Sequence, residues 1–186
     1  PPRSTLFPYT TLFRSSGKSV AVDEFVRAGW HKIYFGEATF IKMKELGLEI
    51  NEENERKARE MLRSTGDKGI YAKVFLPKIR EEHKKGNVVI ESLYAWSEYK
   101  IIKEEFGDDF EVLCIATDAP LRRARLETRT FRPMTSEVSR SRDYAEIENI
   151  EKGGPIGIAD HYILNNGSEE EFQKEVKAYV KSKSEN

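Results

Sequence analysis

Ser16, Gly17, Lys18 and Ser19 are the residues whose types and spacing most clearly suggest chemistry, and they open a segment with helical periodicity. They match the second half of the phosphate-binding pattern G-x-x-x-x-G-K-[S/T], in which backbone amides and a helix N-terminus face the phosphates. In that pattern the lysine contacts the terminal phosphates and the following hydroxyl binds Mg²⁺. The sequence therefore predicts a nucleotide site over 16–20, Val20 included, with Lys18 catalytic and Ser19 a metal ligand. The alternative is a chance Gly-Lys-Ser triplet on an ordinary surface.

The segment before this motif departs from the full pattern and from the rest of the chain. The spacing requires the first glycine at position 12, where the sequence has Leu12. Residues 1–15 contain no acidic side chain, three prolines and a repeated Thr-Leu-Phe. The stretch 5–15 looks like the translation of a common sequencing adapter, so we interpret 1–15 as non-native and 16–186 as the domain; the alternative is a genuine N-terminus. Because Leu12, Arg14 and Ser15 lack the positive backbone angles open to glycine, we expect weak ATP binding.

A second group of candidate residues is rich in arginine. Arg125 and Arg129 are four residues apart and would share one face of a helix that ends near Arg132. Guanidinium groups bind phosphate oxygens through two donors and stay charged, so these three arginines are predicted to stabilise a transferring phosphoryl group. The alternative is a solvated basic face, partly paired with Glu127, Asp143 and Glu146, and it is favoured for Arg122 and Arg123.

Acidic residues follow two of the predicted strands. Glu91 comes directly after the apolar run 88–90, and Glu37 follows the run 32–35 and a glycine. Ligands of parallel sheets bind at the carboxyl ends of the strands, so both carboxylates are expected to face the nucleotide cleft. There a carboxylate could hold Mg²⁺ or accept a proton from the attacking hydroxyl, and we predict Glu91 as a metal ligand and Glu37 as a catalytic acid–base group. The alternative for Glu37 is a first-turn acid favoured by the helix dipole.

Short apolar strands alternate with segments of helical periodicity, which predicts one α/β domain with a parallel sheet covered by helices. The strand at 112–116 is apolar without alternation, as expected when both faces are covered. The predicted strands are 32–35, 88–90, 112–116 and 161–164. The predicted helices are 18–28, 37–46, 51–63, 69–85 (kinked or split at Pro77), 95–106, 120–128, 136–150 and 168–183.

Composition excludes several classes of protein. The chain has 186 residues and a net charge of −1, so no overall field attracts nucleic acid or an anionic membrane. No stretch approaches the ~20 apolar residues needed to span a bilayer. The single cysteine, Cys114, lies in an apolar run and suits a reducing compartment. We therefore expect a cytoplasmic protein with neither membrane nor nucleic-acid partners.

Taken together, the chain from Ser16 to Val180 resembles the adenylate-kinase-like and dephospho-CoA-kinase-like P-loop kinases. The most specific likeness lies in 88–94 and 141–146, and the segment 159–168 looks like the last strand and base-binding turn of that family. The resemblance implies the three-layer P-loop nucleoside-triphosphate hydrolase fold, a five-stranded parallel sheet and a small helical lid over about 119–150. It also implies ATP as phosphoryl donor and Mg²⁺ as the metal.

The resemblance also assigns roles to individual residues. Gly17, Lys18 and Ser19 match the end of the phosphate loop, and Arg142 matches a further phosphate contact. Asn166 and Gly167 match the turn beside the adenine ring. The lid arginines of the family match Arg125, Arg129 and Arg132. Related sequences often have Asp at the position of Glu91, and the match of Glu37 to a substrate-facing acid is loose.

The combined interpretation is an ATP-dependent phosphotransferase that acts on a nucleotide, nucleoside or coenzyme precursor, with the acceptor beneath the charged helices of 51–85. The alternative is a nucleotide-binding regulatory domain without turnover. A polynucleotide kinase would need a basic groove with exposed aromatics, which the near-neutral charge disfavours. Because the first strand of this fold is central, we predict that residues 10–14 occupy its place.

Overall fold

The core of the molecule is a five-stranded parallel sheet. In the computed structural model, which describes residues 6–11, 15–64, 66–130 and 133–184, the strand order is β2-β3-β1-β4-β5. All four neighbouring pairs run parallel. The strands are β1 (Leu6–Thr11), β2 (His31–Tyr34), β3 (Val88–Glu91), β4 (Leu113–Ala116) and β5 (His161–Leu164).

Helices connect consecutive strands, as parallel pairing requires. In the described part of the chain they are α1 (Lys18–Arg27), α2 (Glu37–Glu45), α3 (Glu52–Leu62), α4 (Ile70–His83), α5 (Trp96–Phe106), α6 (Ala119–Thr128), α7 (Ser136–Ile150), α8 (Gly153–Gly157) and α9 (Glu169–Ser184), with a 3₁₀ turn at Gly107–Asp109. Among these helices, none is both long enough and apolar enough to cross a membrane.

Two apolar layers, one on each face of the sheet, hold this architecture together. On one face, α4 and α5 pack against Ile90 of β3 through residues such as Phe75 and Ile102. On the other face, α1 and α9 pack against Val89 through Phe25 and Val176. The alternation of neighbouring residues between the two layers explains why β3 and β4 are buried along their whole length.

The central strand is the N-terminal one. Residues Leu6–Thr11 pair with β3 on one side and β4 on the other. The prediction that residues 10–14 occupy this place is confirmed for Thr10 and Thr11, and the described strand begins earlier, at Leu6. Positions 12–14 fall outside the described residues. The expectation that Ser15 cannot adopt a positive backbone angle is wrong, because its φ is 62°.

The remaining elements agree with the periodicity of the sequence to within one or two residues. Asn51 caps α3 as its residue type indicates, and its side chain accepts a hydrogen bond from the Asn54 amide. Pro77 neither splits nor ends α4, which continues from Ile70 to His83. The short helix α8 was not predicted, because two adjacent glycines and a proline give no helical signal.

Candidate functional site

The Gly-Lys-Ser motif lies where the chain passes from the central strand into α1. Gly17 is the N-cap residue of α1 and has a φ of 97°. A Cβ at this position would lie 2.4 Å from Asn165 Nδ2 and 2.9 Å from the ring of Phe172, so both backbone angle and space require glycine. The first turn of α1 has neither a side-chain cap nor an acidic residue. Its amides therefore present a positive helix end to any anion.

The backbone of this loop is held by the residues that follow β4 and β5. The carbonyl of Ser16 accepts hydrogen bonds from Asn165 Nδ2 at 2.9 Å and from Thr117 Oγ1 at 3.4 Å. The carbonyl of Asn165 accepts in turn from Thr117 Oγ1 and from an Arg125 NH1 at 3.0 Å. The ends of β4 and β5 thus fix the loop together with Arg125.

A cleft of about 1400 Å³ opens above the loop. Its walls come from the loop itself, from α2, from α3 and the following loop, from the N-terminal end of α5, and from α7. Two ion pairs join opposite walls: Arg142 of α7 with Glu52 of α3, and Lys68 with Glu151 at 2.8 Å. A volume of this size exceeds that of a typical single-ligand pocket, roughly 300–1,000 Å³.

The structure brings seven of the candidate residues to this cleft. Lys18 and Ser19 line it from the first turn of α1, while Arg129 and Arg142 line it from the segment 119–150. The other three are Ser16, Gly17 and Val20. Phosphate-loop residues and two arginines therefore share one space, as a phosphoryl-transfer site requires.

The arginines of the 119–150 segment are arranged differently from the expectation of one helical face. Helix α6 ends at Thr128, and Arg129 is extended with ψ 146°, so Arg129 reaches the cleft from beyond the helix. Arg125 is not among the cleft-lining residues because its guanidinium bonds to the carbonyl of Asn165. Arg132 lies outside the described residues.

The two strand-end acids are paired with lysines. Glu91 is buried, and its carboxylate lies 2.7 Å from Lys32 Nζ of the neighbouring strand. Glu37 is solvent-exposed and lies 3.8 Å from Lys78 Nζ. Neither acid is among the residues that line the cleft, which differs from the expectation that both face it. The reason is local: each carboxylate has a lysine within reach on an adjacent element.

The turn after β5 is joined to the neighbouring elements of the site through the side chain of Asn166. The Asn166 side-chain oxygen accepts a hydrogen bond from the Asp118 amide at 2.9 Å, which ties this turn to the start of α6. At Gly167 an added Cβ would lie 2.4 Å from Glu171 Oε2, so the turn is tightly packed. Neither residue is among those lining the cleft, so a contact with adenine remains a prediction.

Sequence relatives of the chain fall in one family. A UPF0200 protein of Thermococcus gammatolerans is 32% identical over 170 residues, which cover 89% of this chain and 88% of the relative. The chain belongs to the UPF0200 family. A UPF0200 protein of Thermococcus kodakarensis is 31% identical over 170 residues and is covered over 91% of its length. No protein-family model matches the sequence.

Solved structures with the same architecture as this UPF0200 chain include several small-molecule kinases. Shikimate kinase from Aquifex aeolicus has a TM-score of 0.61 at 19% identity and covers 96% of this chain and 97% of its own. Dephospho-CoA kinase from Campylobacter jejuni has a TM-score of 0.58 at 18% identity, with 99% and 100% covered. A gluconokinase from Sinorhizobium meliloti has a TM-score of 0.60 at 14% identity, with 99% and 95% covered. These likenesses establish that the UPF0200 chain has the three-layer P-loop kinase fold.

A buried ion pair joins the two helices that carry the arginines. The guanidinium of Arg122 contacts both carboxylate oxygens of Asp143, at 2.9 and 3.4 Å, and Arg123 lies 3.9 Å from the same carboxylate. The expected pairing with Asp143 is present, but Arg122 is only 2% exposed and so does not belong to a solvated face. The pair fixes α6 against α7 and hence places Arg142 relative to Arg129.

Sequence reasoning overlooked two buried residues of the UPF0200 cleft wall. Glu98 is 1% exposed, and its Oε2 accepts from the Tyr94 and Ala95 amides at the start of α5. Burial raises the pKa of Glu98 to about 7, against the opposing effects of those amides and of the positive charge of Arg63. Ser92 has a φ of 74° in the adjoining turn, a backbone angle that non-glycine residues adopt at a cost of about 1–3 kcal/mol, most often at functional sites.

The residues present fit a nucleotide better than they fit an all-protein metal site. Ser16 Oγ is buried without a hydrogen-bond partner, and Lys18 has no carboxylate within 4 Å in the described part of the chain. The same part of the chain holds no cluster of three or more His, Cys, Asp or Glu that could bind a metal.

Proposed function

We propose that this UPF0200 protein is an ATP-dependent phosphotransferase that transfers the γ-phosphoryl group to a small-molecule acceptor. The observation that carries the proposal is the position of Lys18. It stands in the uncapped first turn of α1, at the end of the central strand, in a cleft that also contains Arg129 and Arg142. The P-loop kinase fold supports the same conclusion.

In the proposed mechanism the loop amides and Lys18 bind the terminal phosphates of ATP. Ser19, together with phosphate oxygens, would hold Mg²⁺, and the bound ion would supply positive charge against the developing negative charge. Arg129 and Arg142 stabilise the negative charge that spreads over the phosphoryl oxygens in the transition state. Arg125 acts through Asn165, whose carbonyl it binds, as a positioning residue for the loop. The turn at Asn166 and Gly167 is proposed to lie beside the adenine.

The acidic residues have narrower proposed roles. Glu91 is paired with Lys32, so metal binding would require the carboxylate to exchange that partner or to act through water. Glu37 is paired with Lys78 outside the cleft wall and would have to turn inward to accept a proton from the acceptor.

The proposal is tested by ADP formation from Mg-ATP in the presence of a small-molecule cell extract. We expect acceptor-dependent ADP formation by the wild type, and loss of at least about a hundredfold in Lys18→Met, because that cation neutralises transferring charge. Lys44→Met is the matched control, since Lys44 is exposed on α2 outside the cleft lining. Leu12→Gly is expected to strengthen ATP binding in the same assay series.

Two outcomes would contradict the proposal. Equal activity in Lys18→Met and wild type would show that any turnover occurs elsewhere. ATP binding that depends on Lys18, without ADP formation in either the wild type or Leu12→Gly, would favour a nucleotide-binding regulatory domain instead.

A further inference from the structure

The charge of the cleft contrasts with the charge of the chain. In the described residues, eight cationic side chains line the cleft against four carboxylic ones, although the whole chain has a net charge of −1. Most of these cations are neutralised locally, for example Arg59 by Glu55 at 3.5 Å and Lys152 by Glu146 at 2.5 Å. Excess positive charge concentrated in a cleft favours anionic ligands.

Arg63 differs from most other cations of the cleft because it has no carboxylate partner in the described part of the chain. It is the C-cap residue of α3 and has no carboxylate within 4 Å among the described residues, a property that it shares with Lys18. Its Nε atom is buried and has no hydrogen-bond partner there. An unsatisfied guanidinium donor at the wall of a cleft is costly unless a ligand completes it.

Aromatic packing fixes the position of Arg63. Its guanidinium carbon lies 4.9 Å from the ring centroid of Tyr71, whose hydroxyl is 2.9 Å from Thr39 Oγ1. Tyr71 is 5% exposed, and the residues named here all line the cleft. The cation–π contact holds the guanidinium beside the Tyr71 ring, and a planar guanidinium can bind an anion through two donors.

Glu98, Tyr94 and Lys152 line the same cleft as Arg63 and are connected to it by a series of interactions. Its charge acts on Glu98, the Glu98 carboxylate binds the Tyr94 amide, and Lys152 Nζ lies 4.2 Å from the centroid of the Tyr94 ring. Lys152 is 3% exposed, so a second cation is enclosed in the same wall. The Glu98 oxygen that faces the α5 amides serves as a helix cap and leaves the guanidinium edge of Arg63 to another anion.

We propose that Arg63, which lies over the ring of Tyr71, binds an anionic group of the phosphoryl acceptor, so that the acceptor is a phosphate monoester or a carboxylate. This inference rests on the proposed function, because it assumes that the loop side of the cleft holds ATP. The cleft volume of about 1400 Å³ leaves room for a second ligand beside the nucleotide.

The test uses three small probes with the same aromatic body: phenyl phosphate, benzoate and benzyl alcohol. Isothermal titration is performed with the full chain as wild type, Arg63→Met, Arg63→Lys and Arg56→Met. Arg56→Met is the matched control, because Arg56 lines the same cleft but is 67% exposed and lies 3.9 Å from Glu60. All titrations are repeated in a Lys18→Met background, which removes the loop as the source of anion binding.

We expect an anionic probe to bind the wild type, and Arg63→Met to weaken that binding by about tenfold or more, as for the loss of a charge-assisted hydrogen bond. Arg63→Lys should lose part of the affinity, since it keeps charge without the planar fork. Arg56→Met should stay within about twofold of the wild type, and benzyl alcohol should bind all variants alike. Tighter binding of phenyl phosphate than of benzoate would assign the acceptor as a phosphate monoester, and the reverse would assign a carboxylate.

The inference is overturned if no anionic probe binds better than benzyl alcohol, or if Arg56→Met and Arg63→Met lose affinity equally. A failure of the proposed function would give different results. Lys18→Met would then leave ATP binding unchanged, while Arg63→Met would still weaken binding of the anionic probes, both in the wild type and in the Lys18→Met background.

Discussion

Neutralising Asp143 tests whether the buried ion pair between α6 and α7 holds the arginine-bearing segment in place. Arg122 and Asp143 have side chains that are only 3% and 11% exposed, with two guanidinium–carboxylate contacts at 2.9 and 3.4 Å. Asp143→Asn keeps the shape of the side chain but removes the carboxylate charge that faces the buried Arg122 guanidinium. Removal of one partner from such a pair costs about 3–5 kcal/mol.

Two further interactions change the expected loss in the free energy of unfolding. Arg123, 3.9 Å from the same carboxylate, loses a weaker partner as well, while the asparagine oxygen can still accept one hydrogen bond. We therefore expect a loss of about 3 kcal/mol, the lower end of that range. For a chain of this length the loss corresponds to a fall in melting temperature of about 6–12 °C.

Thermal and urea unfolding followed by circular dichroism measure the effect. The double variant Arg122→Met with Asp143→Leu should recover most of the loss, because the uncompensated charge is gone and the volume is filled. Glu53→Gln is the control: its pair with Lys57 at 2.8 Å is exposed and screened by solvent, so the melting temperature should barely change. A change below about 1 kcal/mol in Asp143→Asn, or a double variant no more stable than the single one, would refute the reasoning.

Three further predictions concern the loop and the cleft wall. Gly17→Ala should destabilise the protein by at least about 1 kcal/mol more than Gly29→Ala, since both glycines have positive φ but only Gly17 lacks space for a Cβ; equal melting temperatures would contradict this. Asn165→Ala should weaken ATP binding about tenfold in a titration, whereas Asn149→Ala at the exposed cleft wall should not, and equal affinities would argue against the anchoring role of Asn165. Because the pKa of Glu98 is raised to about 7 in the folded state, stability should be full below pH ~4.5 and decline as pH rises through ~7. In urea unfolding at pH 5 and pH 8, the wild type should therefore lose up to about 3 kcal/mol more than Glu98→Gln, and parallel losses would contradict the burial argument.

Most of the fold could be predicted from the sequence because its elements have local signals. Apolar runs such as the one at β4 and caps such as Asn51 depend on neighbouring residues alone. The exact course of β1 could not be predicted in this way. The observed strand begins at Leu6 and accepts Pro8 in a central position that proline normally avoids.

The candidate site could be predicted from the sequence only for residues that belong to a recognisable motif or to the family resemblance. The Gly-Lys-Ser pattern predicts that Lys18 belongs to the site, and the family resemblance predicts the same of Arg142. The contacts of Asn165 with Ser16 span 149 residues along the chain, and those of Arg63 depend on Tyr71 and on the fold of the α3–α4 loop. Roles that arise from tertiary contacts have no local signal in one sequence.

The ion pairs that join opposite walls of the cleft, Arg142 with Glu52 and Lys68 with Glu151, have a consequence for how the protein responds to its ionic surroundings. Exposed pairs are screened by dissolved ions over a Debye length of about 8 Å at physiological ionic strength, so added salt loosens the walls and eases ligand entry. The same screening weakens the attraction of an anion to the cationic lining. Turnover should therefore pass through a maximum at intermediate ionic strength, with restricted access below it and weak capture above it.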